Sequence, residues 1–124
     1  MQLLTGATLA ALSDEQVESL NQYLYRFIKL QDAMGVRLFA QTLTLLAENV
    51  RGMPFIDQLS RLEQLGALES GQLWLELRQL RNLLTHEYAC SDEEKASAIN
   101  LVFGHYPTLE RLLSGFKIFI EPRL

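Results

Sequence analysis

Between Val17 and Asn49, side chains that are mostly apolar recur at alternating steps of three and four residues, with one longer gap at Thr42. Such spacing keeps a single stripe on one side of an α-helix. It predicts a helix from about Asp14 to Val50, with Gly35 as the position of a kink or break. The stripe consists of Val17, Leu20, Leu24, Phe27, Gln31, Met34, Leu38, Leu45 and Asn49.

Signals at both ends support this long helix. Ser13 is expected to cap the backbone amide of Gln16, whose side chain can reach back to Ser13. At the other end, Gly52 suits a left-handed terminal turn, and Pro54 cannot continue the helix but can open the next one.

Further helical segments follow. The second carries an apolar stripe from Phe55 to Leu65 and ends at Gly66. The third begins near Gly71 and is expected to bury Trp74 beside an inward stripe, which consists of Leu73, Leu77, Leu80 and Leu84. The connections between these segments are short.

The last helix is expected to begin at a cap formed by Ser91. Pro107 lies inside it and should bend it near Phe103 or Gly104. Its inward positions are Ala98, Val102, Leu109, Leu112, Leu113 and Phe116. Residues 1–12 are expected to form a terminal arm or a short helix against the others.

Composition agrees with a helical fold. Three prolines and seven glycines in 124 residues leave little room for the turns of a β-sandwich or barrel, and no strand-like alternation is present. The length suits one domain, residues 1–124, with a packed core. Four helical segments with short connections predict an all-α, antiparallel helical bundle.

Charge and composition also limit the function. The net charge of −4 has the wrong sign for a protein that holds nucleic acid by bulk charge, so any RNA-binding charge must be local. No apolar run is long enough to cross a bilayer, and no basic secretory start is present. With one cysteine, Cys90, we expect a cytoplasmic protein without an internal disulfide.

Candidate functional groups concentrate between Leu77 and Tyr88, in an otherwise leucine-rich stretch that contains Arg78, Arg81, Asn82 and His86. At about 100° per residue, His86 lies about 140° round a regular helix from Arg81. The two side chains can therefore meet in either of two ways. The helix loosens near Thr85, or two chains assemble the site.

These residue types suit metal-independent cleavage of RNA by its own 2′-hydroxyl. Histidine transfers protons near neutral pH, so His86 is the candidate acid or base. Arg81 can hold non-bridging phosphate oxygens, and Asn82 can orient the ribose or the imidazole. One His86 per chain is few for both proton transfers, which favours a symmetric dimer. Arg78 is either a second phosphate contact or a partner for Glu76 or Glu69.

The pattern Arg81-Asn82-x-x-x-His86-x-Tyr88 resembles the signature of the HEPN family (higher eukaryotes and prokaryotes nucleotide-binding domain). The likeness is closest to HepT-like toxins and to nucleotidyltransferase substrate-binding proteins. It extends over roughly residues 73–113, from Trp74 to the helix that contains Tyr106.

This resemblance implies a homodimeric bundle of four or five helices with both motifs in a shared cleft. It implies a metal-independent endoribonuclease toxin in which Arg81 and His86 are catalytic and Asn82 supports them. The implied partner is a minimal nucleotidyltransferase antitoxin that attaches AMP to Tyr88, which would block RNA electrostatically.

Other interpretations stay open. Some proteins of this family keep the fold as non-catalytic subunits that help a nucleotidyltransferase bind its substrate, and a plain helical dimerisation module is a third possibility. Trp74 fits the core or a dimer interface better than a base-stacking role, and His105 fits a kink better than a ligand. The sequence predicts no cofactor and no metal, because two distant histidines and one cysteine lack zinc-site spacing.

Overall fold

The structure is a computed structural model that describes residues 3–85 and 91–124. Over these residues it is helical, with 81% helix and no strand. The α-helices are α1 (Gly6–Ala10), α2 (Asp14–Ala33), α3 (Phe39–Leu45), α4 (Phe55–Leu65), α5 (Gly71–Thr85) and α6 (Asp92–Ile120). A π-helical turn (Met34–Leu38) joins α2 to α3, and a 3₁₀ turn (Glu121–Arg123) follows α6.

The irregularity expected at Gly35 is the π turn. There the backbone N–H of Phe39 bonds to the carbonyl of Met34, five residues earlier instead of four. One extra residue is thereby fitted into the turn, and the side chains that follow are rotated relative to a regular helix. The helix continues through Gly35 without a break in helical structure, from Asp14 to Leu45.

This rotation changes which residues of α3 are buried. Phe39 and Leu43 are fully buried and Thr42 is nearly so, whereas Leu45, which the regular stripe placed inward, is 42% exposed. The Thr42 hydroxyl is satisfied because it donates to the carbonyl of Leu38 at 2.7 Å. The predicted stripe is therefore confirmed at Phe27, Gln31 and Met34, but it is wrong at its start, where Val17 is 39% exposed, and again after the π turn.

The long helix also ends earlier than predicted, at Leu45 instead of about Val50. Ala47 adopts the left-handed conformation (φ 61°), and the N–H of Glu48 bonds to the carbonyl of Leu43 at 2.9 Å, which closes the helix end. Gly52 is left-handed too, but in the following loop. Gly66 ends α4 as predicted, with φ 87°.

Helices α3, α4, α5 and α6 contribute to a common aromatic core. The ring of Phe39 lies edge-on to Trp74 at 4.7 Å and stacks on Phe116 at 5.1 Å, between ring centroids. Trp74 is 2% exposed, which confirms its assignment to the core. Leucines complete this core, among them Leu59, Leu62, Leu77, Leu80, Leu109 and Leu112.

The predicted terminal segment contains a short helix that is held against α6. Thr5 caps α1, and the backbone of Leu4 exchanges two hydrogen bonds with the side-chain amide of Asn100, at 2.8 and 2.9 Å. The backbone N–H of Gly6 donates to Glu93 at 2.8 Å. Ser91 caps α6 as predicted, and α6 continues through Pro107 to Ile120.

Within residues 3–85 and 91–124, no helix is both long and apolar enough to cross a membrane.

A cluster of rings lies between α2 and α6, with the ring centroids of Tyr23 and Tyr106 4.9 Å apart. Burial raises the pKa of the Tyr23 hydroxyl above its ordinary value, and Tyr106 and Glu110 raise it further.

The burial of Phe39 in place of Leu45 leads to a testable prediction. Phe39→Ala should lower the free energy of unfolding by about 3–5 kcal/mol, because it opens a cavity among buried rings. Leu45→Ala, at a position that a regular helix would bury, should cost about 1 kcal/mol or less. Urea unfolding followed by circular dichroism measures both. Equal losses for the two variants would contradict the rotation at the π turn.

Candidate functional site

Arg81 is held by a carboxylate that the sequence motif does not contain. Its Nε donates to Asp32 Oδ1 at 3.2 Å and its Nη2 donates to Asp32 Oδ2 at 3.1 Å. The pair joins α5 to α2, and its side chains are 29% and 43% exposed. This two-point contact orients the guanidinium plane and leaves the Nη1 donors outside the pair.

A buried hydrogen bond fixes the two helices beside this pair. Gln31, which precedes Asp32, is 2% exposed, and its Nε2 donates to the backbone carbonyl of Leu77 at 2.6 Å. The only polar side chain of the predicted stripe before the π turn is therefore a cross-helix contact. It sets the position of α2 relative to the turn of α5 that carries Arg78 and Arg81.

Arg78 lies over an aromatic ring and has no carboxylate partner among the described residues. Its guanidinium carbon is 4.8 Å from the centroid of the Phe55 ring, a cation–π arrangement. Glu69, one of the two carboxylates considered for it, instead accepts from Arg111 at 2.9 Å. Within the described residues, neither Glu69 nor Glu76 forms an ion pair with Arg78, so the alternative that paired Arg78 with one of them is not observed.

These groups border a cavity of about 320 Å³ between α2, the π turn, α4 and α5. The structure thus brings three of the predicted residues, Arg78, Arg81 and Asn82, to one concave surface. The other lining residues were not predicted to belong to the site; they are Gln31, Asp32, Gly35, Val36, Phe55 and Trp74. Asp32 directly follows Gln31, a residue of the predicted apolar stripe, and this position is the one sequence signal that could have indicated Asp32 as a site residue.

His86 and Tyr88 lie outside the described residues, so the convergence of His86 with Arg81 stays a prediction. Within the described part, α5 is helical as far as Thr85, whose hydroxyl donates to the carbonyl of Asn82 at 2.8 Å. Asn82 itself is exposed at the cavity, and His86 follows it four residues later in the sequence.

A second, larger cavity of about 610 Å³ lies between α2, the end of α5 and the start of α6. Its walls are largely apolar, with Leu20, Leu24 and Leu83 among them, and its charged groups include Glu93 and Glu94. Two carboxylates against a single Lys95 oppose the binding of a phosphate there. The smaller cavity is therefore the better candidate for an anionic substrate.

Over residues 3–85 and 91–124, histidine, cysteine and acidic side chains form no group of three or more that could hold a metal ion. Comparison of the whole chain with protein-family models, with curated proteins and with solved structures returned no match.

The ion pair between Arg81 and Asp32 makes the next prediction. Asp32→Ala should lower the free energy of unfolding by about 0.5–1 kcal/mol at low salt, because both side chains are partly exposed to solvent. The loss should shrink in about 1 M salt, where charges are screened. Urea unfolding at the two salt concentrations measures it.

Glu69→Ala is the matched control, because it breaks the Arg111 pair, whose two side chains are more than half exposed. Its effect should be smaller than that of Asp32→Ala. A salt-independent loss for Asp32→Ala would mean that Asp32 stabilises α2 by some means other than the charge on Arg81.

Proposed function

We propose that this protein is a metal-independent endoribonuclease of the HEPN type that acts through Arg81 and His86. The observation that carries the proposal is the cavity in which Arg81, oriented by Asp32, lies beside Arg78 and Asn82, a few residues before His86. The local excess of arginine supplies the positive charge that the acidic chain as a whole lacks.

The proposed reaction begins when an imidazole accepts the proton of a ribose 2′-hydroxyl. The 2′-oxygen attacks the adjacent phosphorus, and the bond from phosphorus to the 5′-oxygen breaks. A second imidazole donates a proton to that leaving oxygen, and the product strand ends in a 2′,3′-cyclic phosphate. The donors of Arg81 that remain outside the Asp32 pair stabilise charge on the non-bridging oxygens.

The need for two imidazoles leads to the proposed assembly. Each chain carries one His86 in the motif, so a homodimer with both motifs in a shared cleft would supply the acid and the base. The proposed subunit is an antiparallel bundle of four or five helices. We place this assembly in the cytoplasm, with a minimal nucleotidyltransferase as the antitoxin that attaches AMP to Tyr88.

A non-catalytic subunit that helps a nucleotidyltransferase bind its substrate is the alternative. The observation that favours it is the same Asp32 contact, which offsets the charge of Arg81 in a protein that is acidic overall. This alternative shares the fold and the partner but involves no RNA cleavage.

Expression of the chain alone should arrest bacterial growth, and Arg81→Ala or His86→Ala should restore it. The purified protein should cleave single-stranded RNA in the presence of EDTA, and each substitution should slow cleavage roughly 100-fold or more. Arg111→Ala, which removes an exposed arginine on α6, should leave the rate unchanged. Stable binding to a nucleotidyltransferase without any cleavage would favour the alternative.

The geometry of Arg81 can be tested separately. Arg81→Lys keeps the charge but loses the planar pair of donors, so it should retain the fold and still lose most cleavage activity. Circular dichroism and the same RNA assay distinguish these effects. A fully active lysine variant would show that Arg81 acts only as a point charge.

A further inference from the structure

The apolar stripes of three helices are partly uncovered where they meet at the larger cavity. Positions of α2, α5 and α6 whose spacing directs them inward line this cavity, and none of them is buried. They are Val17, Leu20, Leu24, Leu84 and Ala98. Elsewhere on the same helices the stripes reach the core, where Phe27, Leu77 and Val102 are buried. Within the part of the chain that the structure describes, the bundle is therefore left open at this cavity.

Apolar side chains that are exposed to solvent enlarge this surface. Leu83 is 52% exposed and Leu101 is 47% exposed, and both line the cavity together with Val17. A single exposed leucine is common on a protein surface, but several around one concavity indicate a surface that another molecule covers. The volume of about 610 Å³ is within the ordinary range of binding clefts.

Acidic side chains lie beside these apolar walls. The first turn of α2 carries two carboxylates and the first turn of α6 carries three, of which Glu93 and Glu94 line the cavity. Each set is favourable at the positive end of its own helix, which explains the acids but not the apolar surface between them. Residues 1–25 contain no lysine or arginine, and residues 91–110 contain only Lys95. The larger cavity thus combines apolar walls with negative charge.

This charge argues against several occupants. The phosphates of RNA or of a membrane surface would meet like charges at Glu93 and Glu94. A second copy that docks through the same face would bring these carboxylates close to their own equivalents, because a twofold interface joins identical patches. A small apolar molecule would leave the charges unused. The occupant that matches both properties is apolar and cationic.

A helix with one apolar face and flanking lysines or arginines has this combination. Such amphipathic helices bind in apolar grooves through side chains spaced three or four residues apart. The walls of the larger cavity are themselves formed by α2, the end of α5 and the start of α6. An incoming helix would pack against them as helices pack within a bundle.

We propose that the larger cavity is a docking groove for a basic amphipathic helix of another protein. The apolar side chains of that helix occupy the space between Val17, Leu83 and Leu101, and its lysines or arginines lie beside Glu93 and Glu94. Binding of this helix involves neither Arg81 nor RNA, so it is independent of the proposed ribonuclease activity.

A synthetic helix tests the docking groove on the full-length wild-type protein. The probe is a fluorescein-labelled peptide of about 18 residues, long enough to form a helix, with leucines on one face and lysines on the other. One control peptide has the same composition with its leucines spread around the helix, and a second has glutamates in place of the lysines. Fluorescence anisotropy should show saturable binding of the probe, roughly tenfold or more tighter than that of either control. This binding should weaken severalfold in about 0.5 M salt.

Substitutions at exposed positions locate the binding without disturbing the core. Leu101→Ser should weaken binding of the probe roughly fivefold to tenfold, whereas Ile118→Ser, at an exposed position of the same helix outside the cavity, should not. Glu94→Gln should weaken it roughly twofold to fivefold and reduce its salt dependence. The matched control is Glu76→Gln, which removes an exposed carboxylate of α5 away from the cavity and should have no effect. Circular dichroism checks that each variant is folded.

The possible outcomes separate the docking groove from other occupants and from the ribonuclease. Equal binding of either control peptide, or a Leu101→Ser variant that binds like wild type, would overturn the groove. Dimers, measured by light scattering, that Leu101→Ser abolishes and Ile118→Ser retains would assign the cavity to a second copy of this chain and overturn it too. Arg81→Ala should bind the probe as tightly as wild type. Cleavage of RNA without probe binding would overturn only the groove, and probe binding without cleavage would overturn only the nuclease.

Discussion

The contact between α2 and α5 is the constraint on which the candidate site depends. Within it, a buried hydrogen bond from Gln31 to the carbonyl of Leu77 lies next to the ion pair of Asp32 with Arg81. The buried bond determines how the helices meet, since an unpaired amide would be costly there. The exposed pair contributes little stability but orients the guanidinium that the proposed chemistry requires.

The same contact explains how an acidic protein can present a cationic surface. Asp32 neutralises part of the charge on Arg81, while Arg78 rests on the ring of Phe55 and keeps its charge unpaired among the described residues. A phosphate would therefore meet an oriented arginine and a second, more available one. Local geometry, not the net charge of −4, determines what this surface attracts.

The π turn connects the hydrophobic core to the cavity. It rotates α3 so that Phe39 enters the core against Trp74 and Phe116, and its Gly35 packs closely against the same indole, near Cζ2. Trp74 is thus both a core residue and part of the cavity wall.

The sequence alone determined the helical class and most helix boundaries, because apolar spacing and capping residues are local signals. It also singled out Arg78, Arg81 and Asn82, which the structure brings to one cavity. Only the tertiary structure decided that Phe39 and not Leu45 is buried, because an extra residue in one helical turn leaves no unambiguous mark on spacing. It likewise decided that Asp32, far away in the chain, partners Arg81, since such a contact depends on how two helices pack and not on either helix by itself.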